Sequence, residues 1–219
     1  MNCIAHIGCV LVAVGALLAQ EKKNVPPPPK PTDDGPSLEV TMKFIQKQLN
    51  DQGKVNTIET QRDTLKNLET YHGKLVSETS NVSADFSTCR LSWHETSDTA
   101  KISVVEQTPE LLLRDVSKLE VALFSDLLNR NRAKQGLSEV VSEYSPAIYG
   151  LAIYMSEGKK ISGHVHVTMA DGRSSEGLLA GSEQWMIFRE EELANRVAKA
   201  MLHAVELCGG GRDTKAEPF

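Results

Sequence analysis

The sequence predicts an α+β domain: an N-terminal helix, an antiparallel sheet or open barrel of about six or seven strands, and a long C-terminal amphipathic helix. Two observations carry this prediction. Apolar residues recur every three or four positions near both ends of the globular region, and every second position between them. Hydrophobic residues make up 40% and charged residues 24% of the 219 residues, which is the balance of an ordinary globular protein.

Residues 1–19 are predicted to be a signal peptide. His6 is the clearly polar side chain between Ile4 and Ala19, and the apolar stretch ends in small residues. Such a core suits the translocon and the signal peptidase, with cleavage after Ala19 or after Ala16. It is shorter than the ~20 apolar residues of a membrane-spanning helix. No Lys or Arg precedes it, and an uncleaved anchor is the alternative. We expect an exported protein, periplasmic or secreted, with no transmembrane span after cleavage.

Residues 20–36 are predicted to be a linker, because prolines 26–29, 31 and 36 stand among charged and small residues. Proline favours extended polyproline II, so the segment reads as a semi-rigid spacer. The single α+β domain then covers residues 37–208, and residues 209–219 form a flexible tail.

The domain begins with a helix that Ser37 can cap and that Gly53 can end. Its apolar residues form one stripe at spacings of four, three and four, which predicts docking on a sheet. These residues are Leu38, Met42, Ile45 and Leu49.

Between Lys54 and Phe188 the apolar period becomes two, as in antiparallel strands with one face on a core. The clearest runs are Cys89, Leu91 and Trp93; Leu119, Val121 and Leu123; and Val165, Val167 and Met169. The almost continuously apolar stretch from Ala147 to Met155 predicts a central strand. Asp126 to Ser138 fits a short helix or a long loop, and residues 59–74 suit either period.

A long helix is predicted from Glu190 to Leu207, where three glutamates complement the positive end of the helix dipole. Gly209–Gly211 ends it. Its apolar stripe comprises Leu193, Val197, Ala200, Met201, Ala204 and Leu207.

Two cysteines, Cys89 and Cys208, remain once the signal peptide with Cys3 and Cys9 is removed. Export places them where disulfides persist. One cysteine on a strand and one at a helix end can pair across the core, and two buried thiols that never meet are the alternative.

The order of strands followed by one long amphipathic helix resembles the pleckstrin-homology-like (PH-like) superfold, which hosts unrelated roles and so implies no activity. The segments PSLEVTMKFIQKQLN, CRLSWH and LANRVAKAMLHAVELCGGG, with a terminal EPF, resemble a family of small exported bacterial proteins of unassigned function. The resemblance covers the two ends of the chain and carries no catalytic or ligand-binding residue to transfer.

His164 and His166 are the candidate metal ligands, because side chains two apart on a strand point to the same side. A zinc site usually needs a third or fourth ligand, which His94 or His72 can supply only if the fold brings it near. The alternative is that both histidines are outward positions of an amphipathic strand. In Trp93-His94-Glu95, a histidine stands beside a carboxylate, but strand neighbours face opposite ways.

The chain lacks the G-x-S-x-G, H-E-x-x-H and glycine-rich phosphate-binding motifs, so no catalytic residue and no cofactor is assigned. Its net charge of −5 and few aromatic residues argue against a nucleic-acid partner. The C-terminal Glu217-Pro218-Phe219 can offer a carboxylate and an apolar anchor to a partner, and a frayed terminus is the alternative.

Three functional hypotheses remain. The first is a non-enzymatic binding or interaction module of the cell envelope or extracellular space, with an envelope or extracellular protein as partner. The second is a metal-dependent or hydrolytic enzyme that uses His164 and His166. The third is a structural accessory protein that acts within an assembly.

Overall fold

The computed structural model describes residues 35–99 and 104–211. The chain divides into two units, Met1–Gly35 and Pro36–Phe219, and every element below belongs to the second. The predicted signal peptide, most of the linker and the tail residues 212–219 lie outside the described residues. The helices are α1 (Leu38–Asp51), α2 (Phe124–Lys134) and α3 (Glu191–Leu207).

Ten antiparallel strands form two sheets in the described part of the chain. In chain order they are β1 (Lys54–Asp63), β2 (Leu68–Asp85), β3 (Arg90–Thr99), β4 (Val104–Leu112), β5 (Val116–Leu123), β6 (Val140–Ser145), β7 (Tyr149–Met155), β8 (Ile161–Thr168), β9 (Ser174–Gly181) and β10 (Glu183–Phe188). The large sheet has the order β6-β1-β2-β3-β4-β8-β9 and the small sheet β10-β7-β5. The predicted α+β class and the seven-stranded sheet are confirmed, whereas the second sheet was not predicted.

Helix α1 forms where the sequence predicts it. The Ser37 hydroxyl accepts a hydrogen bond from the Val40 N–H at 3.4 Å and caps the first turn. Gly53 follows the C-terminal cap of α1 in the left-handed conformation, at a φ of +62°, and so terminates the helix. The apolar stripe of α1 is fully buried at Met42, Ile45 and Leu49.

Helix α3 buries Val197, Met201 and Ala204 of its predicted stripe, whereas Leu207 at the end of the helix is 40% exposed. Gly209, at a φ of +77°, follows its C-terminus. It packs against α1 and the small sheet. The main core lies among these two helices, the small sheet and one half of the large sheet. Its apolar side chains are almost completely buried. Its members include Leu91, Leu111, Leu151, Ile153, Ile161, Met186, Phe188, Val197 and Met201.

The disulfide Cys89–Cys208 joins the turn before β3 to the C-terminal cap of α3, with the two Cα atoms 6.0 Å apart. The sequence left two alternatives, a disulfide or two separate buried thiols, and in the structure the two cysteines form a disulfide. Cys89 is not on the strand as predicted. It lies one residue before β3 at a φ of +58°, because the tight turn after β2 extends to that position. The bridge therefore connects a turn to a helix end.

Helix α2 resolves the ambiguous stretch after β5. Its Phe124 packs in a second, smaller core with Val55 and Leu75 of the large sheet, Ile187 of the small sheet and Ile148, which lies just before β7. The stretch 59–74 contains the end of β1, a turn and the start of β2. Leu123 was predicted to face the core and is instead 38% exposed, because the chain leaves β5 there to begin α2.

The predicted central strand is β7, which lies between β10 and β5 in the small sheet. Five of its seven residues are buried. Within residues 35–99 and 104–211, the structure has no helix that is both long and apolar enough to cross a bilayer.

Candidate functional site

An open cleft of about 540 Å³ lies between the large sheet, the small sheet and α2. This volume is within the range of small-molecule binding pockets, roughly 300–1,000 Å³. Its lining has seven polar residues and five apolar or aromatic ones: Glu95, Ser97, Gln107, Asn131, Ser182, Glu183 and Gln184, with Val105, Phe124, Leu179, Trp185 and Ile187.

The floor of the cleft comes from β3 and β4. Antiparallel pairing places Glu95 opposite Gln107 and Ser97 opposite Val105. Side chains two apart on a strand share a face, so these four residues lie together on the inner side of the large sheet. The sheet's period of two therefore puts a carboxylate and an amide side by side beneath the cleft.

Aromatic side chains form the opposite wall. The rings of Phe124 and Trp185 meet edge to face, with centroids 5.7 Å apart and planes at 86°. The Trp185 indole Nε1 donates a hydrogen bond to the Glu183 carboxylate at 2.5 Å, which fixes the ring orientation. Phe124 also contacts Tyr144 at 5.3 Å. This wall is thus apolar, with its polar atoms already paired.

A buried polar network fastens α2, and with it Phe124, to the large sheet. Ser142 donates from its hydroxyl to Glu59 Oε1 at 2.8 Å and accepts from Arg132 Nη1 at 2.6 Å. The Asn129 side chain donates to the Ser142 carbonyl at 3.2 Å and accepts from its N–H at 2.9 Å. Because a satisfied buried network is rigid, it holds the aromatic wall in place.

Glu95 is the cleft residue whose pKa departs clearly from its ordinary value. Its side chain lies on the inner face of β3, the residue is 8% exposed, and Gln184 Nε2 donates a hydrogen bond to its Oε2 at 3.1 Å. Burial raises the pKa of Glu95 to about 7, against the opposing effect of the hydrogen bonds that favour the ionised form. A carboxyl group poised near neutral pH in a cleft is typical of functional sites.

Two further polar atoms beside this carboxyl are buried without a hydrogen-bond partner. They are Gln107 Oε1, which lines the cleft, and Trp93 Nε1, in a residue 2% exposed. The Trp93 indole lies near Glu95 and favours its ionised form, yet it makes no hydrogen bond of normal geometry. Leaving a buried polar group unpaired costs about 1–3 kcal/mol, which makes Gln107 Oε1, on the lining of the cleft, a candidate to bind a ligand.

The pH dependence of stability tests the burial of Glu95. Its pKa of about 7 in the folded state exceeds the ordinary value of 4.5, so the folded state retains this proton over a range in which the unfolded state has lost it. Stability from Glu95 is therefore lost as pH rises from about 4.5 through 7. The Glu95→Gln variant should be stabilised relative to wild type by more at pH 8 than at pH 5, by at least about 1 kcal/mol.

Urea unfolding at both pH values measures this difference. Glu106→Gln, at an exposed position of β4, is the control for the change in net charge. An equal effect of Glu95→Gln at pH 5 and pH 8 would show that the Glu95 carboxyl is solvated.

The structure places His164 and His166 on the outer side of the large sheet, away from the cleft. His166 lies opposite Glu106 on β4 and Glu176 on β9, and its Nδ1 is 3.5 Å from Glu176 Oε1. Its Nε2 is 3.2 Å from the Thr168 hydroxyl. Thr108 is the register partner of His164. Across residues 35–99 and 104–211, no three His, Cys, Asp or Glu side chains are placed to hold a metal ion.

Metal binding at His164 and His166 stays a prediction. If both imidazoles ligate zinc, purified protein should contain stoichiometric metal that the double variant His164→Ala, His166→Ala loses. Elemental analysis after gel filtration measures this content. His72→Ala on β2 is the matched control, because it removes an exposed histidine elsewhere on the sheet. Equal metal content in wild type and double variant would contradict the prediction.

Two other predicted features have different outcomes. Burial alternates along β3, with Trp93 and Glu95 buried and His94 less so, which supports opposite directions for His94 and Glu95.

The candidate partner segment Glu217-Pro218-Phe219 lies outside the described residues and stays a prediction.

Sequence reasoning considered Glu95 only as a neighbour of His94 and missed the cleft. The available signal was the alternation itself: Leu91, Trp93 and Glu95 continue one inward series, so a carboxylate is placed where a core residue is expected. The groups opposite it, Gln184 and Trp185, arrive from a strand about ninety positions later in the chain.

Comparison with protein-family models, with curated proteins and with solved structures found no match to this chain. The resemblances to the PH-like superfold and to small exported bacterial proteins therefore stay predictions.

Proposed function

We propose that the protein is a non-enzymatic binding module of the cell envelope or extracellular space, and that it holds a small organic molecule in the cleft. The observation that carries this proposal is the buried Glu95 carboxyl beside the unpartnered Gln107 Oε1, in a cleft of about 540 Å³ with an aromatic wall. Ligand pockets combine apolar and aromatic surface with convergent polar groups, and this cleft supplies both, with five apolar and seven polar residues in its lining.

The location rests on separate observations. The disulfide Cys89–Cys208 suits an oxidising compartment. The sequence of residues 1–19 has the apolar core and small terminal residues of a secretory signal. Together they support a binding protein that acts after export.

A cleft-filling substitution tests the proposal. Ser97 lines the cleft, so the Ser97→Phe variant should fill part of it and lower small-molecule affinity at least tenfold. The matched control is Thr96→Phe, which adds the same ring on the opposite face of β3. Ligand-observed NMR with a fragment collection of amines, alcohols, acids and aromatic compounds measures binding to all three proteins.

The expected result is a set of fragments that bind wild type and Thr96→Phe but not Ser97→Phe. Thermal unfolding of each variant shows whether it is folded at the temperature used. Fragments that bind folded Ser97→Phe as well as they bind wild type would place binding elsewhere and overturn the proposal, as would a collection with no binders.

A further inference from the structure

The charge of the cleft indicates the class of ligand, an inference that rests on the proposed function. Two ionisable side chains line the cleft, Glu95 and Glu183, and both are acids. No Lys, Arg or His is among the described residues of the lining. An anionic ligand would meet two carboxylates without a counter-charge, whereas a cation would meet a complementary surface.

Glu95 is arranged to accept such a cation. Its carboxyl is buried and its Oε2 receives one amide hydrogen bond, from Gln184. Burying a carboxylate is costly unless an opposite charge accompanies it. No basic side chain of the lining supplies that charge.

Gln107 provides a second acceptor at the same place. It is the register partner of Glu95 across β3 and β4, and its Oε1 is buried and unpartnered. An ammonium group has several N–H donors and no acceptor. It can therefore donate to the Glu95 carboxylate and to Gln107 Oε1 together, which satisfies both.

The remaining lining suits the body of an amine. Phe124, Trp185 and Val105 offer apolar surface next to the two acceptors. An aromatic or aliphatic body would bury area against these side chains, and the indole ring face also attracts cations.

We propose that the cleft binds an organic cation, a protonated amine on an apolar body, whose ammonium group pairs with the Glu95 carboxylate and donates to Gln107 Oε1. Phe124 and Trp185 contact the apolar body.

Binding of this kind is linked to pH. The strand neighbours of Glu95 are Thr79 on β2 and Gln107 on β4, and Gln184 approaches from β10; none of these titrates. Glu183, the other acid of the lining, is held by the Trp185 indole. Because the pKa of Glu95 is raised to about 7, an incoming ammonium displaces the Glu95 proton at lower pH. Amine affinity should therefore rise as pH increases through 7.

The test uses three probes with one phenyl group each: 2-phenylethylamine, 2-phenylethanol and 3-phenylpropionate. The two tryptophans of the chain, Trp93 and Trp185, lie beside or in the cleft, so fluorescence reports binding and calorimetry confirms it. At pH 8 we expect the amine to bind at least tenfold more tightly than the alcohol, and the acid to bind most weakly. At pH 5.5 the preference for the amine should shrink at least threefold.

Glu95→Gln should remove both the amine preference and its pH dependence, since a glutamine side chain of nearly the same shape keeps an acceptor for Gln184. Glu106→Gln on the outer face removes the same charge outside the cleft and should retain both. Equal binding of amine and alcohol by wild type, or an amine preference that survives in Glu95→Gln, would overturn this inference and leave the proposed function standing. Failure of all three probes overturns the inference, and a fragment collection without binders separately overturns the proposed function.

Discussion

Replacing both Cys89 and Cys208 by alanine is expected to lower the free energy of unfolding by about 4 kcal/mol. The bridge closes a loop across 119 positions of sequence, and a crosslink over so long a loop removes much conformational freedom from the unfolded chain. It also fastens the end of α3, which contributes Val197, Met201 and Ala204 to the main core. Urea unfolding under oxidising conditions measures the loss as a lower midpoint.

Reductant supplies the control for this experiment. It should lower the midpoint of the wild-type protein toward that of the double variant and leave the double variant unchanged. A wild-type midpoint that is the same with and without reductant, while thiol labelling shows free cysteines, would mean that the bridge contributes nothing to stability.

The Gly163→Ala substitution on β8 is expected to destabilise the protein by about 3 kcal/mol. A Cβ at this position would lie 2.2 Å from the Thr108 carbonyl oxygen and 3.2 Å from the Pro109 Cα. Both are backbone atoms of the adjacent β4, so the two strands would have to separate. The φ of +157° at Gly163 adds a conformation that side-chain-bearing residues rarely adopt.

Gly177→Ala on β9 is the matched control. Its Cβ would meet only Val165 Cγ1 at 3.4 Å, an ordinary contact. Its effect should be within about 0.5 kcal/mol of zero. Equal urea midpoints for the two variants would show that β4 and β8 do not approach as closely as the structure has them, and unequal m-values would indicate a changed unfolded or native ensemble.

Helices α1 and α3 were predictable because their information is local. In α1, the Ser37 cap, the Met42–Ile45–Leu49 stripe and Gly53 lie within a few turns of one another, and in α3 a comparable stripe precedes Gly209. Periodicity and end signals act over three or four residues, so a single sequence displays them. The seven-stranded sheet was predictable in kind for the same reason, since alternation is also local.

Division of the strands into two sheets was not predictable in this way. Val121 on β5 and Val165 on β8 show the same apolar alternation, yet β5 belongs to the small sheet and β8 to the large one. Which strands pair depends on contacts between distant positions. Helix α2 was ambiguous because only one side of this short polar helix is buried, at Phe124 and Leu127.

The candidate site shows the same division between local and distant information. The sequence alone determined that an α+β domain would form, that β3 would turn Glu95 to the side of Leu91 and Trp93, and that Cys89 and Cys208 were available to pair. The tertiary structure decided that Gln107, Gln184 and the aromatic wall meet Glu95 in one cleft, and that the two cysteines are bridged. The physical reason is that a side chain's direction follows from its own strand, whereas its burial, and with it the raised pKa, depends on which distant elements cover it.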